Sequence, residues 1–185
     1  MRHLHLYDDI TIPEPSTLFD DWKDNAPPAR HQELEIDRHM DLTYDLFVDL
    51  TPEFNQQPSQ KRQDRSAWNN MKRMSAGQLK AWRAAYGPKD EAFHQAKLTG
   101  KDLVRWKYQR YAKNYLRCIK GVDEGIGRLR GTLTELGLDE NTIVIYSSDQ
   151  GFYIGDHGWY DKRWMYEESL MMPFIVNWPG VTKPG

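Results

Sequence analysis

The sequence predicts an α/β fold in which a mostly parallel sheet is flanked by helices. Three observations carry that expectation. Leu116, Ile119, Val122, Ile126, Leu129, Leu133 and Leu136 recur at every third or fourth position, the period of a long helix with one apolar stripe. The runs "IVIYSS" (143–148) and "PFIVNWPG" (173–180) are continuous, β-branched and aromatic, as in strands covered on both faces of a parallel sheet. Between them lies a short connection rich in glycine and aspartate, with room for one short helix after Asp161.

The elements follow in chain order. Residues 1–50 mix turn signals with short apolar pieces; Pro13 and Pro15 precede a short helix that Ser16 or Thr17 would cap. Residues 51–75 are polar and lack a sustained period, and are expected to be a long loop or insertion. Two short helices, 75–85 and 88–98, are expected on either side of "YGP". Thr99 then opens the long helix and Gly137 ends it. Its first part, "WKYQRYAKNYL", interleaves basic and aromatic residues. Trp106, Tyr108, Tyr111 and Tyr115 are read there as packing area for a core rather than as a nucleic-acid surface.

Composition narrows the function. With 185 residues, 39% hydrophobic, 28% charged and a net charge of -2, the chain has the size and balance of one soluble domain, and nothing points to nucleic acid as partner. No apolar run approaches the roughly 20 residues needed to cross a bilayer, and "MRHLHLYDDI" lacks the apolar core of a signal peptide. The single cysteine, Cys118, excludes an internal disulfide and is expected to be buried as a small hydrophobe.

Chemistry concentrates in "SSDQGFYIGDHGWYDKRWMYEES" (147–169). Ligands in open α/β sheets gather at the carboxyl ends of strands, where Asp149 falls. Asp149 and Gln150 offer adjacent oxygen donors of the kind a hard divalent cation prefers, and Gly151 lets the chain turn away. Two donors are fewer than the roughly six that calcium takes, and "SDQG" by itself reads equally as a turn. Downstream, His157 sits in "GDHG" and Lys162 in "DKRW", a compact cation suited to an anionic oxygen. Trp164, Met165 and Tyr166 are expected to pack beneath the loop, and Glu167 or Glu168 to pair with Arg163. Phe152, Tyr153, Trp159 and Tyr160 could stack on a sugar ring.

Residues 141–180, "NTIVIYSSDQGFYIGDHGWYDKRWMYEESLMMPFIVNWPG", closely resemble the second signature region of the type I, formylglycine-dependent sulfatases of the alkaline-phosphatase-like superfamily. "YLRCIKGVDEGIGRL" resembles the helix before that region, and "LYDDITIPEPSTLFDD" the segment after one of the family's histidine-bearing active-site loops. The resemblance implies a partial sulfatase-like fold. It implies calcium binding by Asp149 and Gln150, sulfate contact by Lys162, and a place for His157 near the substrate sugar or leaving group. Gln150 departs from the asparagine or histidine common at that position, and its amide oxygen lies one methylene farther out.

The resemblance also implies groups that these residues lack. No Cys/Ser-x-Pro/Ala-x-Arg motif occurs, so no formylglycine nucleophile can form here, and Cys118 is followed by "IKGV". The aspartate pair that completes the family's metal site is also missing. The expectation is a piece of a sulfatase catalytic domain, residues 1–185, without the N-terminal nucleophile region and the C-terminal subdomain. Such a piece would be inactive alone and prone to association through unpaired strand edges. The implied substrate is a sulfated carbohydrate, such as a 6-sulfated N-acetylglucosamine unit, and the implied compartment of the parent is periplasmic, extracellular or lysosomal. A phosphodiesterase or phosphonate hydrolase of the same superfamily and a non-catalytic anion- or glycan-binding relic are the alternatives.

Overall fold

The computed structural model describes residues 2–50 and 69–183. Most of the expected 51–75 loop therefore lies outside the described residues. Helix α1 is Pro27–Arg30, α2 is Ala76–Ala96, α3 is Gly100–Glu135 and α4 is Glu167–Leu170. The strands are β1 Val144–Ser147, β2 Tyr153–Ile154, β3 Tyr160–Asp161 and β4 Phe174–Asn177.

Helix α2 replaces the two short helices expected on either side of "YGP". Ser75 Oγ accepts from the Gln78 amide and Gln78 Oε1 accepts from the Ser75 amide, a reciprocal cap at its start. The helix runs through Pro88 and stops where Lys97 turns left-handed at φ 47°. Helix α3 follows as expected, with Thr99 at its N-cap and Gly137 at φ 66° just past its end.

The first half of α3 grips the N-terminal segment. Its buried residues include Val104, Tyr108 and Ala112, which form a core with Leu18, Ile36 and Leu46. Gln109 bonds both backbone polar groups of Ile12, at 2.9 and 2.7 Å, and Arg117 reaches the Leu6 carbonyl at 2.9 Å and Asp8 at 2.6 Å. Residues 6–18 have no helix or strand of their own, and α3 side chains satisfy backbone groups at Leu6, Ile12 and Pro13. The short helix expected after Pro15 is a turn instead. The aromatic residues of α3 pack as expected. Trp106 stacks on Phe93 at 4.0 Å, and Tyr115 on Phe152 at 5.1 Å.

The sheet departs from expectation. Strand β1 pairs antiparallel with β4, Ile145 opposite Val176, and β2 pairs antiparallel with β3. The α/β make-up holds, but no parallel pairing occurs among the described residues. A parallel return needs a crossover, usually a helix, to carry the chain back. The connection from β1 to β4 holds instead the small β2–β3 hairpin and the single turn α4, so β4 comes back in the opposite sense. Nor are these strands covered on both faces. Ile145 is 59% exposed and Phe174 72%. Likewise, the second half of α3 exposes Ile119, Val122, Leu129 and Leu136, and Cys118 is exposed rather than buried.

Candidate functional site

The loop after β1 is shaped by close backbone approaches. A Cβ on Gly151 would run into the carbonyl oxygens of Glu168 and Met171, and its amide donates to the Ser169 carbonyl at 2.7 Å. Glycine at 151 therefore lets the loop press on α4, a tighter constraint than the free turn expected there. Gly155, at φ 97°, lies on the Tyr108 ring, where a Cβ would come within 2.7 Å of Cε2. These contacts fix where Asp149, His157 and Lys162 leave the backbone.

Asp149 is exposed at the end of β1. Ser148 Oγ donates to its carboxylate and accepts from the Gln150 amide, each at 3.4 Å. The donors are hard oxygens that suit calcium, yet the described residues hold no group of three or more His, Cys, Asp or Glu placed to bind a metal. The fit is thus that of a partial ligand set.

His157 is the most constrained of the expected site residues. Its backbone is left-handed, at φ 56°. The strain is balanced by bonds on both sides: its amide donates to Thr17 Oγ1 at 2.9 Å and its carbonyl accepts from Trp22 Nε1 at 2.8 Å. Its ring lies between two carboxylates, Nδ1 at 3.2 Å from Asp20 and Nε2 at 3.7 Å from Glu168. Glu168 therefore faces His157, while Arg163 pairs with Asp161 at 2.8 Å, correcting the expected helix pair. Lys162 is exposed and has no hydrogen bond or ion pair among the described residues. It lies at a bend between β3 and α4, because the helix expected from residue 161 forms only at Glu167.

The aromatic residues of the loop are divided. Tyr153 and Trp159 are 0% exposed, so neither can stack on a sugar, and the expectation for them is overturned. They form a core with Leu34 and Ala29, and Trp22, Trp164 and Tyr166 pack against it. Burial pushes the Tyr153 phenol up to about 12, and its hydroxyl donates to the Trp164 carbonyl at 2.9 Å. Met165, by contrast, is 86% exposed rather than packed under the loop.

A cleft of about 810 Å³ opens beside this loop. Its lining among the described residues draws on the 160–164 stretch, with Tyr160, Asp161, Arg163 and Trp164, and on the 38–45 stretch, with Arg38, His39, Asp41, Tyr44 and Asp45. Burial, then the charges of Asp41 and Asp161, raise the Asp45 carboxyl to about 6. The partners of His157 and the 38–45 wall carried no signal in the sequence. Asp20 is 137 residues from His157, a separation over which no spacing rule operates.

Together these features define an α/β protein whose strand-end loop carries hard oxygen donors, an exposed lysine and a histidine held by carboxylates. A family model described as Sulfatase matches residues 37–185, and the chain belongs to that family. It is 39% identical over 184 residues to the N-acetylglucosamine-6-O-sulfatase of Bacteroides thetaiotaomicron, covering 100% of this chain and 32% of that protein. An arylsulfatase of Volvox carteri is 42% identical over 67 residues, 36% of this chain and 10% of its own length. Among solved structures, a protein in complex with its substrate D-glucosamine-2-N,6-O-disulfate superposes with a TM-score of 0.87 at 39% identity, covering 96% of this chain and 35% of that one. The chain spans about a third of the length of the relatives that it matches from end to end.

Proposed function

We propose that these residues form one wall of a sulfuric ester hydrolase site whose substrate is a sulfated carbohydrate, a 6-sulfated N-acetylglucosamine unit. The observation that carries the reading is the 39% identity to an N-acetylglucosamine-6-O-sulfatase along 184 of the 185 residues. Local geometry supports it: Lys162, unpaired among the described residues, is available to neutralise a sulfate oxygen. Asp149 and Gln150 supply oxygen donors to a calcium ion, which as a hard cation offsets negative charge on the ester. His157, fixed by Asp20 and Glu168, stands near the leaving group.

The reading requires a nucleophile that these 185 residues do not carry, formylglycine in the family resembled. The test is sulfate release from 6-sulfated N-acetylglucosamine. A longer protein that contains these residues together with a Cys/Ser-x-Pro/Ala-x-Arg motif should release sulfate, and Lys162→Ala should lower its kcat/KM by roughly 100-fold or more. The 185-residue chain alone should release none. Turnover by the chain alone, or faster hydrolysis of the matching phosphate ester by the longer protein, would overturn the proposal.

A further inference from the structure

The two carboxylates beside His157 are not equivalent. Asp20 is fixed on both of its oxygens: Oδ1 accepts from the Trp22 amide at 3.2 Å, and Oδ2 lies 3.2 Å from His157 Nδ1, within hydrogen-bonding reach. Its own amide donates to the Thr17 carbonyl at 3.0 Å, so the carboxylate stands on a closed turn. The loop that carries the histidine is pressed on that same turn. Gly158, at φ 68°, lies so close to Leu18 that a Cβ would come within 2.9 Å of its carbonyl oxygen. Thr17, Leu18, Asp20 and Trp22 therefore grip residues 157–158 from a single short stretch of chain.

Glu168 holds the ring less closely. Its Oε1 lies 3.7 Å from Nε2, beyond hydrogen-bonding distance, and its Oε2 is buried with no hydrogen-bond partner among the described residues. The Trp159 and Tyr166 rings, with centroids 5.5 and 5.3 Å away, stand against the imidazole without taking either nitrogen. A neutral imidazole has one N–H and one lone pair, and its partners decide which nitrogen keeps the proton. A screened ion pair without a hydrogen bond is a weaker hold than a hydrogen bond to a carboxylate. The proton therefore belongs on Nδ1, facing Asp20. Nε2 keeps the lone pair, and it is the nitrogen that can exchange a proton with a bound ligand.

We propose that Asp20 is a positioning residue of this site: it fixes the neutral His157 ring with its proton on Nδ1 and so presents Nε2 to the ligand. The part played by Nε2 rests on the sulfated-carbohydrate reading. The tautomer is read on the 185-residue chain without substrate, so the two can fail separately. Asp20→Asn makes the sharp test. Its Oδ1 keeps the Trp22 amide, which places the side-chain nitrogen where Oδ2 stood. That nitrogen can only donate, so Nδ1 must accept and the proton moves to Nε2. The ring nitrogens of His157 are observed by 15N NMR at about pH 9, above the ordinary histidine pKa of about 6.5, and assigned by their loss in His157→Gln. The unaltered chain should show Nδ1 protonated, Asp20→Asn should exchange the two nitrogen signals, and Glu168→Gln should leave them as they were. Both variants are nearly isosteric changes at part-exposed side chains, so the fold should tolerate them. In the longer protein that carries the nucleophile motif, Asp20→Asn should lower kcat by roughly 100-fold or more and leave KM within about 3-fold, the pattern of a wrong tautomer with binding groups intact. A proton on Nε2 in the unaltered chain, a tautomer that follows Glu168 rather than Asp20, or an unchanged kcat in Asp20→Asn would each overturn the proposal. Nδ1 protonation that depends on Asp20, in a longer protein that releases no sulfate, would leave Asp20 in its place and sink the hydrolase reading instead.

Discussion

The two halves of α3 carry the same apolar period and meet opposite surroundings. From Val104 to Arg117 the helix lies against residues 6–18 and 36–48, burying Tyr108 and Ala112 to 2% and 0% exposure. From Ile119 onward the stripe continues, but Ile119, Val122 and Leu129 are 41%, 44% and 55% exposed beside the β1–β4 pair. Periodicity therefore identifies a face that is made to be packed, and says nothing about whether its partner is in the same chain. The candidate site straddles this boundary. Asp149 leaves the exposed β1, whereas His157 and Trp159 are held by the packed half through Thr17, Asp20 and Trp22.

The largest effect expected from breaking the packed half is at Trp159. Its side chain is fully buried, stacked at 6.1 Å on Trp22 and edge-on to Tyr153 at 5.5 Å. Trp159→Ala should lower the stability of the chain by about 3–5 kcal/mol, the range for emptying an aromatic site, read as a reduced denaturant midpoint. Because the Trp159 backbone also bridges Glu35, the loss should loosen the hydrogen bond between Tyr160 and His39 as well. An effect below about 1 kcal/mol would show that this cluster is not the core that positions His157.

Legibility in the sequence follows the same division. The long helix and the two strand runs were readable because each rests on local period or local composition. Strand direction was not, since "IVIYSS" and "PFIVNWPG" have the composition of buried parallel strands. Only the connection between them, which holds no long helix, decides the antiparallel return. The join of "YGP" into one helix was hidden because Pro88 signals a break that tertiary packing overrides at Ala85 and Tyr86. Tyr153 and Trp159 looked available for stacking because sequence shows that a residue is aromatic, not which way it points. Lys107 illustrates the converse. In "WKYQRYAKNYL" it looks like one basic residue among several, yet it is buried and holds the 36–40 loop.

A smaller effect, of opposite sign, is expected at Asp45 on the packed side. Its carboxyl titrates near 6 in the fold, chiefly through burial, against 3.8 as the ordinary value. Between those values the folded chain holds a proton that the unfolded chain has released. Stability therefore falls as pH rises from about 4 to 6 and stays lower above it. Asp45→Asn keeps an acceptor for the Asp41 amide and removes the charge. The variant should be more stable by about 1 kcal/mol at pH 7.5, after allowing for solvent screening of a half-buried group, with the gain vanishing near pH 4. Thermal unfolding of both proteins across that range checks it. A gain that is independent of pH would assign the effect to packing rather than to charge.

The smallest change in stability is expected on the exposed side, and it sharpens the contrast most. In the β1–β4 pair, Ile145 and Val176 sit opposite each other, as do Ser147 and Phe174, so these residues share one face of the two-stranded sheet. That face is apolar and open, with Ile145 59% and Phe174 72% exposed. Threonine preserves β-branching and strand propensity while adding a hydroxyl, so Ile145→Thr with Phe174→Thr removes apolar surface without disturbing the ladder. The double variant should unfold within about 0.5–1 kcal/mol of the unaltered chain, because the side chains it replaces contribute little burial. Its self-association should nevertheless fall, since the face and the free strand edges beside it are the largest exposed invitation to association that β1 and β4 present. Sedimentation velocity over a concentration series distinguishes the outcomes. Weaker association at nearly constant stability marks the face as a surface made for contact. A loss of several kcal/mol would mean that these strands are packed in solution, and that the two halves of α3 differ less than their exposures indicate.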